Sequence, residues 1–157
     1  DAILDLLSDI LTSSKNSRLY KSLVFEKQIA QDISSFQYSG KLDGSFIIAS
    51  TAKPGVTLEK IKDEITKGID ELISKGLTEN ELMRAKNNIK SSYIFSLQKI
   101  DLITDHINHY NFYLNEPDSF LFDLSRYEQV TREQIIDAAQ KFLTKPNIEL
   151  NIIPKTM

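Results

Sequence analysis

Two histidines, His106 and His109, stand three residues apart as His-Ile-Asn-His, and they are the first candidates for chemistry in this sequence. Imidazoles one turn apart on a helix share a face, and Asp105 beside them offers a carboxylate as a third ligand. A zinc hydrolase also needs a glutamate general base held between its ligands, and none stands there. Histidines flanked by Ile107 and Tyr110 are used for packing or hydrogen bonding, so we assign no metal ligand and no catalytic residue. Glu79 with Glu81 and Asp63 with Glu64 could be cast as acid and base, but helix capping and solvent exposure account for carboxylates at such positions. Ser17, Arg18 and Tyr20 could meet a substrate carboxylate. A helix cap, a surface charge and a core aromatic explain them better, and substrate-binding residues stay unassigned. The glycines form no phosphate-cradling loop.

Composition narrows the function classes. The chain has 157 residues, is 41% hydrophobic and carries a net charge of −3, with acids and bases interspersed. That length fits one domain with a real core, and the charge gives no basic face for nucleic acid and no polybasic patch for a membrane. No apolar run approaches a membrane span and no signal-peptide pattern is visible. Without cysteine there is neither disulfide nor thiol catalysis, and the compartment is not readable.

The elements that position these side chains begin with a unit at 43–76. The run Phe46, Ile47, Ile48, Ala49 is apolar on both faces and reads as a central strand that Pro54-Gly55 stops. Thr57 then caps a helix whose Leu58, Ile61, Ile65, Ile69, Leu72 and Ile73 form one stripe, and Gly76 ends it. Ahead of this unit, Ile3, Leu4, Leu7, Ile10 and Leu11 make a helical stripe that starts at Asp1 with nothing before it to pack on, as in an excised fragment. The polar run 12–16 ends it, and Ser17 caps a short helix carrying Leu19, Tyr20 and Leu23.

Residues 29–38 read as a strand with a bulge near Ser34-Ser35, where the apolar parity changes, and a hairpin loop at 39–44 pairs it with 45–52. Thr78 with Glu81 forms a capping box closed by a Leu77–Leu82 staple, and the helix it opens must break near 98–101. A helix with Phe120, Leu121, Leu124 and Tyr127 follows Pro117. Thr131 with Gln134, stapled by Val130 and Ile135, opens the last one, which is lined by Ala138, Ala139 and Phe142. After Pro146, the alternation of Ile148, Leu150 and Ile152 predicts a final strand at 148–153. The fold class is α+β, helices on one face of a largely antiparallel sheet that lacks N-terminal strands.

Several segments taken in order carry a family resemblance. Ser17-Arg18-Leu19-Tyr20-Lys21-Ser22-Leu23, Glu26-Lys27-Gln28-Ile29-Ala30, Gly44-Ser45-Phe46-Ile47-Ile48 with Lys53-Pro54-Gly55, and Asn80-Glu81-Leu82-Met83-Arg84-Ala85-Lys86-Asn87 are similar to the second domain of M16 (insulinase or pitrilysin-type) zinc metallopeptidases. Asn108-His109-Tyr110, Glu116-Pro117-Asp118, Arg126-Tyr127, Val130-Thr131 and Ile152-Ile153-Pro154-Lys155 extend the likeness over nearly the whole chain.

The resemblance implies the LuxS/MPP-like metallohydrolase fold, with 1–157 as a single C-terminal-type, non-catalytic domain of a longer chain. It implies a homologous metal-bearing partner domain, in cis or in trans, with an H-x-x-E-H helix, a distal Glu and the zinc, the two domains enclosing a peptide chamber. This chain then forms the wall and holds no cofactor. Some members bind the substrate backbone with an Arg near the start of the strand after the hairpin and a Tyr beyond it. Ser45 stands at the first place and no tyrosine follows at 53–57. A respiratory-complex-like core subunit, a non-proteolytic assembly module with the same fold and no metal, is the alternative that the resemblance leaves open.

Overall fold

The computed structural model describes residues 1–153. Helix α1 (Ala2–Thr12) is its centre: Leu6, Leu7, Ile10 and Leu11 are completely buried, and the helix touches strand β1 (Ala30–Ser39) and helices α2 (Arg18–Tyr20), α4 (Glu79–Ser96), α6 (Phe120–Gln129) and α7 (Arg132–Leu143). The stripe predicted for residues 3–11 is therefore the hub of the core, and the 43–76 unit lies beside it. An eleven-residue helix that is apolar on most of its circumference must be buried on most of it, and several neighbours are needed to do so.

After α2 the chain widens into one π-helical turn, Lys21–Glu26, which closes with Lys27 N–H donating to the Ser22 carbonyl. Gln28 then takes φ 51° and redirects the backbone into β1. β1 pairs antiparallel with β2 (Gly44–Ala52) in a register that runs from Ser39 opposite Gly44 to Ala30 opposite Ala52, and only the Ala30 to Asp32 step is irregular. The predicted bulge at Ser34-Ser35 thus falls at Gln31 instead. From Ile33 onward the register is regular, so Ile33, Ser35 and Gln37 lie on the helix side while Phe36 and Tyr38, of the opposite parity, face solvent.

Helix α3 (Leu58–Lys75) follows with Thr57 Oγ1 accepting from Lys60 N–H, and Gly76 at φ 73° ends it. At Gly68 the helix comes so close to Leu19 that an added Cβ would lie 2.4 Å from Leu19 Cδ2, so no larger residue fits without moving a buried leucine. Both predicted capping boxes are present, at Thr78 with Glu81 and at Thr131 with Gln134, and the staple residues Leu77, Leu82, Val130 and Ile135 are buried. The long helix breaks close to where expected: α4 ends at Ser96 and α5 (Ile100–Leu114) begins four residues later.

Two further expectations fail. Residues 148–153 form no strand; the segment is held by Glu149 against Lys62 of α3 at 2.5 Å, and Ile148, Leu150, Ile152 and Ile153 stand in solvent. Alternation alone cannot make a strand without an edge to pair with, and no such pairing forms here. Pro154 and Lys155 lie outside the described residues. Nor is β2 a central strand: Phe46 and Ile48 are half-buried on the helix side and Ile47 is exposed on the other. The architecture is α+β: among the described residues, seven α-helices with a two-stranded antiparallel sheet.

Candidate functional site

The polar residues of α1 lie on one stripe, Asp5, Ser8, Asp9 and Thr12, opposite its leucines. Ser8 and Thr12 take over the backbone of β1 on the side away from β2: Ser8 Oγ donates to the Ser35 carbonyl at 2.6 Å, and Ser35 N–H donates to Thr12 Oγ1 at 2.8 Å. Where a neighbouring strand would pair, helix hydroxyls do so instead. Between this stripe, β1, α4 and α6 runs a groove of about 500 Å³ that Tyr127 and Ile89 help to wall. A second hollow of about 290 Å³ continues it past Asn88 and Ser96 to His106, and Asp9 and Ile89 line both.

Neutral donors hold the two carboxylates. Gln37 Nε2 and Tyr127 Oη donate to the two oxygens of Asp5 at 3.0 and 2.8 Å, and Asn88 Nδ2 donates to Asp9 Oδ2 at 2.6 Å. These residues were missed in the sequence. The available signal was the stripe itself, four polar side chains at helical spacing in an otherwise apolar helix.

The two histidines do not converge. His106 stacks on Tyr110 at 5.8 Å between ring centres and meets Tyr93 and Phe120 at 5.3 and 6.0 Å, whereas His109 leans on Tyr113 at 4.5 Å. Asp105 is exposed, and among the described residues no three His, Cys, Asp or Glu side chains are placed to hold a metal ion.

Ser96 Oγ and His106 Nε2 are 2.9 Å apart, a distance that suits a nucleophile and its base. The proton runs the wrong way. Ser96 donates its hydrogen to the Tyr93 carbonyl at 2.6 Å, so it accepts from His106 Nε2–H and is not activated.

Beside this pair, Tyr110 Oη donates to Asp123 Oδ2 at 2.9 Å, Tyr93 Oη donates to the Phe120 carbonyl at 3.0 Å, and the two phenol oxygens lie 2.9 Å apart. Burial, together with these bonds and the Asp123 charge, raises the Tyr110 phenol far above the usual tyrosine range, and burial with the charge of Asp5 does the same at Tyr127. A raised phenol pKa adds stability that is complete below the unfolded value and is lost as pH climbs above it. In a spectrophotometric titration, the phenolate absorbance of Tyr110 and Tyr127 is expected only together with alkaline unfolding, and its appearance in a chain with native circular dichroism would contradict these burials.

Arg18, offered above as a substrate contact, is a clamp. Its Nε and Nη2 meet the Glu81 carboxylate at 2.7 and 3.0 Å, and Nη2 also donates to the Gly76 carbonyl at 2.7 Å. Ser17 stands at the start of α2 but caps nothing with its side chain; buried, it donates to the Asp9 carbonyl at 2.8 Å and accepts from Ser14 N–H. Tyr20 is partly buried against the core. Glu79 reaches Arg132 at the surface, Glu64 pairs with Lys27, and Ser45 is exposed on the open face of the hairpin.

Residues 1–89 match the family model described as the Peptidase M16 inactive domain. The chain belongs to this family. The zinc protease PqqE of Helicobacter pylori is 30% identical over 95 residues, a stretch that is 60% of this chain and 21% of that protein, so the match spans about a fifth of the relative's length. Two solved structures share the fold. A protease from Helicobacter pylori superposes with a TM-score of 0.81 at 22% identity, over 91% of this chain and 34% of that one. The peptidase M16 inactive domain from Pseudomonas fluorescens gives 0.75 at 23% identity, over 91% and 34%. In this M16 inactive domain the side chains that might have done chemistry are turned to clamping, capping and aromatic packing.

Proposed function

We propose that residues 1–157 act as one non-catalytic domain of a longer M16-type zinc peptidase, forming the wall of a peptide chamber against a homologous domain that carries the zinc. The observation that carries this reading is the match to the inactive-domain family in a chain whose histidines serve an aromatic cluster. The open face of the hairpin, with Phe36, Tyr38 and Ile47 exposed, suits a wall that meets extended peptide. Half a chamber buries too little surface to order a flexible chain, so the isolated domain binds peptide weakly and matters only when paired.

The test is to delete this domain from the parent peptidase. Proteolysis of unstructured peptides is expected to be abolished while zinc stays on the remaining domain at one ion per chain. A truncated parent that cleaves at a near-native rate overturns the wall role.

A further inference from the structure

Strand β2 has one edge free. In an antiparallel ladder, alternate residues turn both backbone groups away from the partner strand. Ser35 is one of them, because its N–H and carbonyl meet Thr12 and Ser8, and its opposite number in β2 is Ile48. Ile48 therefore faces outward, as do Phe46 and Ser50 two positions away, and among the described residues nothing bonds the backbone groups of these three. The edge also lacks the charges, prolines and bulges that keep strand edges apart: Gly44–Ala52 has no charged residue and no proline, and the one irregular step of the ladder lies on β1.

The two ends of this edge select its occupant. Asp43 precedes β2 and Lys53 follows it, and among the described residues neither is in an ion pair. When such a strand pairs antiparallel with its own copy, outward-facing residues must meet outward-facing residues, which leaves only registers centred on a residue. Centred on Ile48, Phe46 lies opposite the copy's Ser50 and Asp43 opposite the copy's Lys53, and the two-fold axis makes each contact twice. Moving the centre to Ile47 sets Lys53 against Lys41, and moving it to Ala49 sets Lys53 against Ser45. Charge complementarity singles out the Ile48 register, and the neutral strand between the two ends puts no like charges face to face.

We propose that β2 pairs antiparallel with the β2 of a second copy of this chain, about a two-fold axis at Ile48, to give a four-stranded sheet. The assembly closes at two copies, because Ser8 and Thr12 already occupy the outer edge of β1. It uses the edge of the hairpin and not its open face, so it goes beyond the chamber-wall reading and does not depend on it.

The test is sedimentation equilibrium of the 157-residue chain, with amide hydrogen exchange on the same samples. One pair of nine-residue strands is a small interface, so a dimer with a dissociation constant of about 10 to 100 μM is expected, in which the amides of Phe46, Ile48 and Ser50 slow. Lys53→Glu replaces two ion pairs with two like-charge contacts and should weaken the dimer about tenfold. Asp43→Lys should do the same. Mixing the two variants should restore the wild-type affinity, because every end contact is then between opposite charges.

If Asp43→Lys does not fold, Lys53→Glu decides alone, since it leaves the Lys53 N–H bond to the Ile29 carbonyl in place. A wild type that stays monomeric throughout that range, Lys53→Glu that dimerises as tightly as the wild type, folded variants whose mixture is no tighter than either alone, or a dimer whose three amides exchange as in the monomer each overturn the pairing. Slow exchange of those amides in a monomer would instead assign the edge to a segment of the same chain. Slowing only on addition of acetyl-Val-Thr-Val-Thr-amide would assign it to extended peptide. Both outcomes also overturn the second copy as occupant.

Discussion

Leu6→Ala is expected to lower the stability of this domain by about 2 to 5 kcal/mol, the range for truncating a fully buried leucine. Leu6 has no exposed surface and sits on the helix that every layer shares, with β1 on one side and α4, α6 and α7 around it. Neighbours held by their own helices cannot collapse into the space, so the upper half of the range applies. Leu82→Ala, at the staple that sets how α4 enters, should cost nearly as much, whereas Leu121→Ala, at 84% exposure, should be close to neutral. Urea midpoints of the three variants check the order. A Leu6→Ala midpoint equal to that of the wild type would remove α1 from the core.

Glu81→Ala is expected to be the most damaging polar substitution. Glu81 closes the capping box by accepting from Thr78 N–H at 2.8 Å and receives the Arg18 fork at 2.7 and 3.0 Å; the two charged side chains are only 17% and 22% exposed. Losing the box costs about 1 kcal/mol, and leaving Arg18 half-buried without its partner adds more, for a total of about 2 to 4 kcal/mol. That stays below the cost of breaking a sealed pair because water still reaches both groups.

The effect should depend on pH in a defined window. Burial pushes the Glu81 carboxyl up, but the Arg18 guanidinium and the Thr78 N–H and hydroxyl outweigh it and hold the group down to about 2 from an ordinary 4.5. A depressed carboxyl contributes stability that is complete above its unfolded value and lost as pH falls towards the folded one. The stability gap between wild type and Glu81→Gln should therefore be full at neutral pH and close between about pH 4.5 and 2. A gap that stays constant through that interval would show that the ion pair does not form.

How much of this was legible from residues follows how local the physics is. Capping boxes and staples are written within a few residues, and they were read correctly at Thr78 and Thr131, whereas the break expected near 98–101 from helix length falls at 97–99. The stripe of α1 was also legible, but its place at the hub was not, because the number of elements that surround a helix is a tertiary fact. The strand at 148–153 failed for the same reason: alternation gives a face, and pairing needs a neighbour. Arg18 read as a surface charge because its partner Glu81 is 63 positions away, and the Asp5 and Asp9 groove was hidden behind the apolar signal of the helix that bears it. The histidines needed only chemistry. No glutamate stands between them, and the fold gives each an aromatic neighbour.

Helix α5 has a single buried residue, Tyr110, and that sets a rate as well as a shape. Amide hydrogens of α1 can exchange with solvent only when the whole domain opens, because its side chains are shared by five other elements. α5 hangs from one phenol and its ring contacts, so it can detach at a fraction of that free energy while the core stays closed. Each such opening carries His106 away from Ser96. Hydrogen exchange should therefore show α5 amides turning over long before those of Leu6 or Ile10.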